Sequence, residues 1–132
     1  MDVSAVHALL ERHGIQPSAQ RVAVAVWVLD TTDHPSADQV FAAVRASQTD
    51  VSRATVYNTL NLFVQKGLLR QLLIAEGRVV FDPKLEPHHH FVDDDTGSIT
   101  DVPWDAVAVE QTAPLPRFTV REMQVVLRGT RA

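Results

Sequence analysis

The stretch Ser52-Arg53-Ala54-Thr55-Val56-Tyr57 opens a segment that is polar at its start and apolar along one side. Ser52 is placed to cap a helix. Val56, Leu60, Phe63 and Val64 share one face, and Gly67 supplies the stop. Ser52, Arg53, Thr55, Tyr57, Asn58 and Thr59 crowd the first two turns. In a recognition helix the N-terminal residues reach base edges. Arginine pairs with guanine, asparagine with adenine, and a tyrosine ring or threonine methyl packs on thymine methyls. The competing reading of a polar helix start is a solvated face. What flanks this helix decides between them.

Upstream, Val3, Val6, Leu9 and Leu10 recur at helical spacing before Gly14. Ser18 caps a second helix carrying Val22, Val26 and Leu29, where the valine-rich run leaves strand as a competing assignment. Asp33-His34-Pro35 breaks the chain, and Ser36-Ala37-Asp38-Gln39 is a capping box for a third helix that buries Val40, Phe41 and Val44. Residues 47–51 are polar and turn-like. Downstream, 68–75 and 78–81 flank Glu76-Gly77 and read as a β-hairpin. Helices followed by a hairpin give the winged helix-turn-helix order. Ser18, Gln20 and Arg21 open the second helix, where backbone amides and a guanidinium suit a phosphate.

Beyond Pro83 the pattern changes. Residues 88–93 read as a strand, 94–97 as a turn and 98–102 as a returning strand. Pro103 suits the first turn of a short helix over 104–112, and 118–127 reads as a last strand, with helix as the competing assignment over 121–126. The expectation is an α+β chain. A winged-helix DNA-binding domain spans 1–82, a hinge spans 83–87, and a small α/β dimerisation and metal-sensing domain spans 88–132. A unit of about 45 residues is too small to be stable alone, which predicts a homodimer.

Composition is compatible with this. The chain has 132 residues, 45% of them apolar, enough for a packed core. It has no cysteine, which excludes disulfides, thiolate zinc sites and cysteine nucleophiles. No apolar run approaches a membrane span and no signal peptide is visible, so the expected location is the cytoplasm. The net charge of −4 is unfavourable for nucleic acid, but it is segregated. Between Arg45 and Arg70 four basic residues face Asp50 alone, whereas from Pro83 onward five basic residues face eight acidic ones.

The acidic half carries His88-His89-His90. Residues two apart on a strand share a face, so His88 and His90 point together and His89 points away. Asp82 ends the wing and Asp101 lies on the returning strand. His34, at the break between the second and third helices, ties the set to the DNA-binding half, with capping or packing as its alternative role. Three imidazoles and two carboxylates, His34, Asp82, His88, His90 and Asp101, form a borderline-hard donor set suited to Fe(II), Mn(II) or Zn(II). His89 is either exposed or a ligand of a second metal or of haem. Asp93-Asp94-Asp95 reads as a solvated turn, and His7 and His13 as surface residues.

The chain resembles the ferric uptake regulator (Fur) family. The resemblance is carried by 14–21, His34-Pro35-Ser36-Ala37-Asp38, Ala54-Thr55-Val56-Tyr57-Asn58-Thr59-Leu60, Gly67-Leu68, Phe81-Asp82, His88 to His90 and Gly97-Ser98-Ile99-Thr100-Asp101, in family order. It implies a homodimeric repressor of iron or peroxide-stress genes that binds A/T-rich inverted repeats. A regulatory metal at the interdomain hinge is implied at His34, Asp82, His88, His90 and Asp101, and base contact by Tyr57. Aspartates at both carboxylate positions resemble the peroxide sensors of the PerR type. The histidine run and missing cysteines resemble the haem-responsive Irr branch, which makes haem the alternative cofactor. The two Cys-x-x-Cys pairs that hold structural zinc in many members are missing. A further family metal site finds only His89, Ala108 and Met123-Gln124 in the matching regions. The reading from another class, a small cupin-like metalloenzyme, needs a glycine before the first histidine, and none lies between Gly77 and Gly97. A metal-free winged-helix module is the third reading.

Overall fold

The computed structural model describes residues 1–48 and 50–132. It divides into two compact units, Met1–Leu85 and Glu86–Ala132. The expected turn over 47–51 falls partly on Thr49, which lies outside the described residues.

The first unit contains α1 (Val3–Arg12), α2 (Ala19–Val28), α3 (Ala37–Arg45) and α4 (Arg53–Gln65), then the hairpin β1 (Arg70–Ala75) and β2 (Arg78–Asp82). Each helix starts where a short polar side chain accepts from a backbone amide that would otherwise be orphaned: Asp2, Ser18, Ser36 and Ser52. The Ser36 box is complete, with Gln39 Oε1 accepting from the Ser36 amide at 2.8 Å. The valine-rich α2 is helical because its spacing places Val22, Ala25 and Val28 in one core. At the end of α4, Gly67 adopts φ 79°. The Leu68 amide then reaches the Phe63 carbonyl at 2.9 Å and the Gly67 amide reaches Val64 at 3.1 Å. That arrangement needs a left-handed residue, which glycine supplies without strain. It also directs Leu68 and Leu69 into the core, so β1 begins at Arg70 rather than at residue 68. The core joins Val6, Leu10, Val24, Val28, Val40, Val44, Val56, Leu60 and Phe63.

The second unit is a three-stranded sheet in the order β4-β3-β5, built from β3 (His88–Asp93), β4 (Ile99–Pro103) and β5 (Val126–Gly129). β3 pairs antiparallel with β4 and parallel with β5. The helix expected over 104–112 is a single 3-10 turn, Trp104–Ala106. The Trp104 carbonyl lies 3.2 Å from His89 Nε2, so the turn is fastened to β3. Val107 and Val109 add β-branched resistance, and Pro114 and Pro116 remove further amides. The last strand is shorter and later than expected, because only 126–129 reach the edge of β3. Phe118, Val120 and Met123 stay exposed. Among the described residues, no helix is long and apolar enough to cross a membrane.

Phe63 is fully buried at the centre of the first unit. Truncation Phe63→Ala is expected to lower the stability of that unit by about 3–5 kcal/mol. Urea denaturation followed by helical circular dichroism measures it, and a change below about 1 kcal/mol would remove Phe63 from this central role.

Candidate metal centre and nucleic-acid interface

In the second unit, the strand register places Asp101 directly opposite His90, while His88, two residues earlier, shares the face of His90. The two rings meet edge-on at 4.6 Å. His88 Nδ1 donates to the Glu86 carbonyl at 2.7 Å, and His90 Nδ1 donates to Gln124 Oε1 at 2.8 Å. Both partners are acceptors, so each Nδ1 carries a proton and Nε2 is the nitrogen left to face Asp101. These two Nε2 atoms lie 3.4 and 3.7 Å from Asp101 Oδ1. Donor atoms around a first-row ion, each about 2.0–2.2 Å from it, stand roughly 3–4 Å from one another. The three donors have that spacing, and an imidazole oriented through its other nitrogen is the usual state of a ligating histidine. The set therefore fits a divalent metal, and the cysteine-free chain offers no thiolate site beside it.

The first unit brings His34 and Asp82 together. His34 adopts φ 51°, a left-handed conformation unusual for a non-glycine residue and stored at the break before Pro35. The Phe81 amide donates to the Pro35 carbonyl at 2.9 Å, which fastens this break to β2. His34 Nε2 then stands 3.3 Å from Asp82 Oδ2, and both side chains are buried. The other carboxylate oxygen of Asp82 accepts from the Lys84 amide at 2.9 Å.

His89 corrects an expectation. It is 1% exposed, not solvated, and both ring nitrogens are engaged. Nδ1 accepts from the Val125 amide at 2.9 Å, so Nε2 carries the proton and donates to the Trp104 carbonyl. The ring stacks on Trp104 at 4.6 Å. No lone pair remains for haem or a second metal, and His89 serves as a tie between the sheet and its flanking segments. Asp93, expected in a solvated turn, is also buried. Its Oδ1 accepts from the Asp95 and Thr96 amides, which closes the turn.

The residues expected to meet nucleic acid divide into two groups around the start of α4. Ser18, Gln20 and Arg21, at the start of α2, line a cleft of about 390 Å³ with Thr55, Asn58 and Thr59. Arg21 Nη1 donates to the Gln16 carbonyl at 3.0 Å, which holds the guanidinium at this cleft. On the other flank, Arg53 and Tyr57 are exposed and both meet Asp38. Ser52 is exposed, and its hydroxyl is used in capping Thr55. Thr59 departs from the expectation of base contact. It is 5% exposed, in the buried stripe with Val56, Leu60 and Phe63. The 56, 59, 60, 63 spacing already carried that signal. Gln124 and Asp38 were not legible as partners of His90, Arg53 and Tyr57. Gln124 comes from 34 positions away, and Asp38 reads locally only as an acidic residue in the first turn of α3.

The sequence model of the ferric uptake regulator family matches residues 12–127. The chain belongs to this family. The chain is 30% identical to the peroxide operon regulator of Bacillus subtilis strain 168 over 105 residues, 79% of this chain and 72% of that protein. It is 29% identical to the peroxide-responsive repressor PerR of Staphylococcus epidermidis over 107 residues, 80% of this chain and 71% of that one. A solved zinc-bound manganese uptake regulator shares the fold at a TM-score of 0.72 with 21% identity, covering 96% of this chain and 98% of that one. Fur-family proteins are dimeric, DNA-binding, metal-responsive regulators rather than enzymes. This member is a metal-dependent transcriptional regulator.

Replacing Gln124 with leucine removes the acceptor that fixes the His90 ring. Mn(II) affinity measured by calorimetry is expected to fall by about 10-fold or more, the range typical of such outer partners. Gln124→Glu keeps an acceptor and is expected to stay within a few-fold of the parent. Unchanged affinity in Gln124→Leu would separate His90 from the metal.

Proposed function

We propose that this Fur-family chain is a cytoplasmic repressor of iron or peroxide-stress genes and not an enzyme. It acts as a homodimer on A/T-rich inverted repeats. The domain division at 1–82, 83–87 and 88–132 is retained in this reading. His34 and Asp82 of the DNA-binding half, with His88, His90 and Asp101 of the sensing half, would hold one Fe(II), Mn(II) or Zn(II) ion. The observation that carries the reading is the convergence of the His88 and His90 Nε2 atoms on one Asp101 oxygen, with each ring held through Nδ1. Electronegative atoms converging in a buried site are stabilised by a cation and destabilised without one.

The ion would supply positive charge and a coordination preference. The chain's own residues do the rest. His88 and His90 hold their Nε2 atoms in place through Glu86 and Gln124, and Asp101 contributes charge from the neighbouring strand. His34 and Asp82 come from the break before α3 and from the end of the wing, so recruiting them makes the angle of the reading helix depend on ligation. In a dimer the two reading helices must match half-site spacing, and a wrong angle loses one half-site. Ser18, Gln20 and Arg21 would hold phosphate. Ser52, Arg53, Thr55, Tyr57 and Asn58 would face the bases, with Thr59 supporting them from the packed side. Exposed Val109, Leu115, Phe118 and Val120 in the second unit offer apolar area for the partner copy. The peroxide regulators among the relatives favour peroxide stress as the regulated response.

Anisotropy of an A/T-rich inverted-repeat duplex at fixed salt, with Mn(II) and then with chelator, tests the reading. A metal-dependent change of about 5–150-fold in affinity is expected, a coupling typical of such switches. The His88→Ala, His90→Ala double variant should abolish the dependence. Tight binding that ignores metal in the parent protein would leave a DNA-binding protein without this sensor.

A further inference from the structure

Arg53 and Tyr57 stand one helical turn apart on α4 and share a single acceptor, Oδ1 of Asp38 in the first turn of α3. The Tyr57 hydroxyl donates to it at 2.8 Å, and Arg53 Nη1 donates to the same oxygen. The Arg53 guanidinium also lies over the Phe41 ring, 4.9 Å from its centroid. One carboxylate and one aromatic face of α3 thus fix the two longest side chains of the reading surface. The Tyr57 phenol titrates above its ordinary value, first because of its hydrogen bond to Asp38, then through desolvation and the carboxylate's charge. The Arg53 cation pulls the other way.

The stability of the fold does not account for this arrangement. Arg53 and Asp38 are both open to solvent, and exposed ion pairs contribute little to stability. A carboxylate beside a DNA-reading face is also unfavourable for phosphate binding as such. Both features become useful if the quantity being set is discrimination. A long side chain that is already oriented loses less freedom when it meets a base edge. A negative charge nearby weakens the sequence-independent attraction to phosphates.

We propose that Asp38 is a specificity-determining positioning residue that braces Arg53 and Tyr57 into one base-reading head while penalising non-specific DNA. This rests on the assignment of α4 as the reading helix. In the complex, Arg53 presents its remaining N–H groups to a base edge with one edge still anchored on Asp38. Tyr57 is held beside it, so the two act as a unit and one carboxylate serves both.

The test uses the Mn(II)-loaded full-length protein, a duplex that the parent selects from a randomised pool, and a scrambled duplex of the same composition. Asp38→Ala is expected to weaken binding to the selected duplex by about tenfold, comparable to losing one good base contact. Binding to the scrambled duplex should stay level or tighten, so the specificity ratio falls at least tenfold. In an Arg53→Ala, Tyr57→Phe background the same Asp38→Ala change should leave the ratio unaltered, because nothing remains to brace. A helix-start role for Asp38 would lower binding in both backgrounds. Asp38→Asn keeps the α3 cap and an acceptor but drops the charge. It should tighten scrambled binding, and it provides the measurement if Asp38→Ala does not fold. Equal changes on both duplexes, or a loss that persists without Arg53 and Tyr57, overturn the brace. A parent protein that selects no duplex overturns the assignment of α4 itself.

Discussion

One carboxylate oxygen, Oδ1 of Asp101, organises the second unit. Two imidazoles reach it through Nε2, and each is held by a hydrogen bond on its far side. The antiparallel register of β3 and β4 brings Asp101 opposite His90, and the two-residue repeat of the strand adds His88. A one-residue slip would turn His89 toward Asp101 and both of these ligand candidates away. The register is therefore as much a part of the site as the donors are. Val92 and Ile99, paired across the same two strands and both buried, help to specify it.

The histidine run does more than supply donors. His89, on the opposite face, binds the Trp104 carbonyl and the Val125 amide, and its ring stacks on Trp104. The His90 amide donates to the Val125 carbonyl at 3.1 Å. Through these bonds and Gln124, the segment before β5 is fastened to β3. A segment fastened mainly by polar contacts, with its large apolar side chains exposed, is suited to a unit completed by a second copy.

In the first unit α4 serves two purposes on opposite faces. Val56, Thr59, Leu60 and Phe63 pack it into the core, and the polar residues of its first two turns face outward. Those residues are not equivalent. Arg53 and Tyr57 lean toward α3, whereas Thr55 and Asn58 share a cleft with the start of α2. The result is a surface whose cations are held in place by carbonyl and carboxylate neighbours, on a chain whose net charge is negative.

The sequence by itself determined the helices of the first unit, because their caps and stops are local chemistry. A serine or aspartate three residues before an orphan amide, or a glycine where φ must turn positive, needs no distant partner to be read. The strand bearing His88 and His90 and the return to Asp101 were legible for the same reason, since a period of two assigns faces. Tertiary structure decided the rest. That the Trp104 carbonyl meets His89, 15 residues upstream, had no local signal. Whether His89 was a ligand or a strut depended on Val125. Whether Asp38 was only an acidic residue in the first turn of α3 depended on the approach of α3 to α4. Hydrogen bonds between residues distant in the chain carry no periodic signature, so only the folded chain reveals which acceptor each buried donor has chosen.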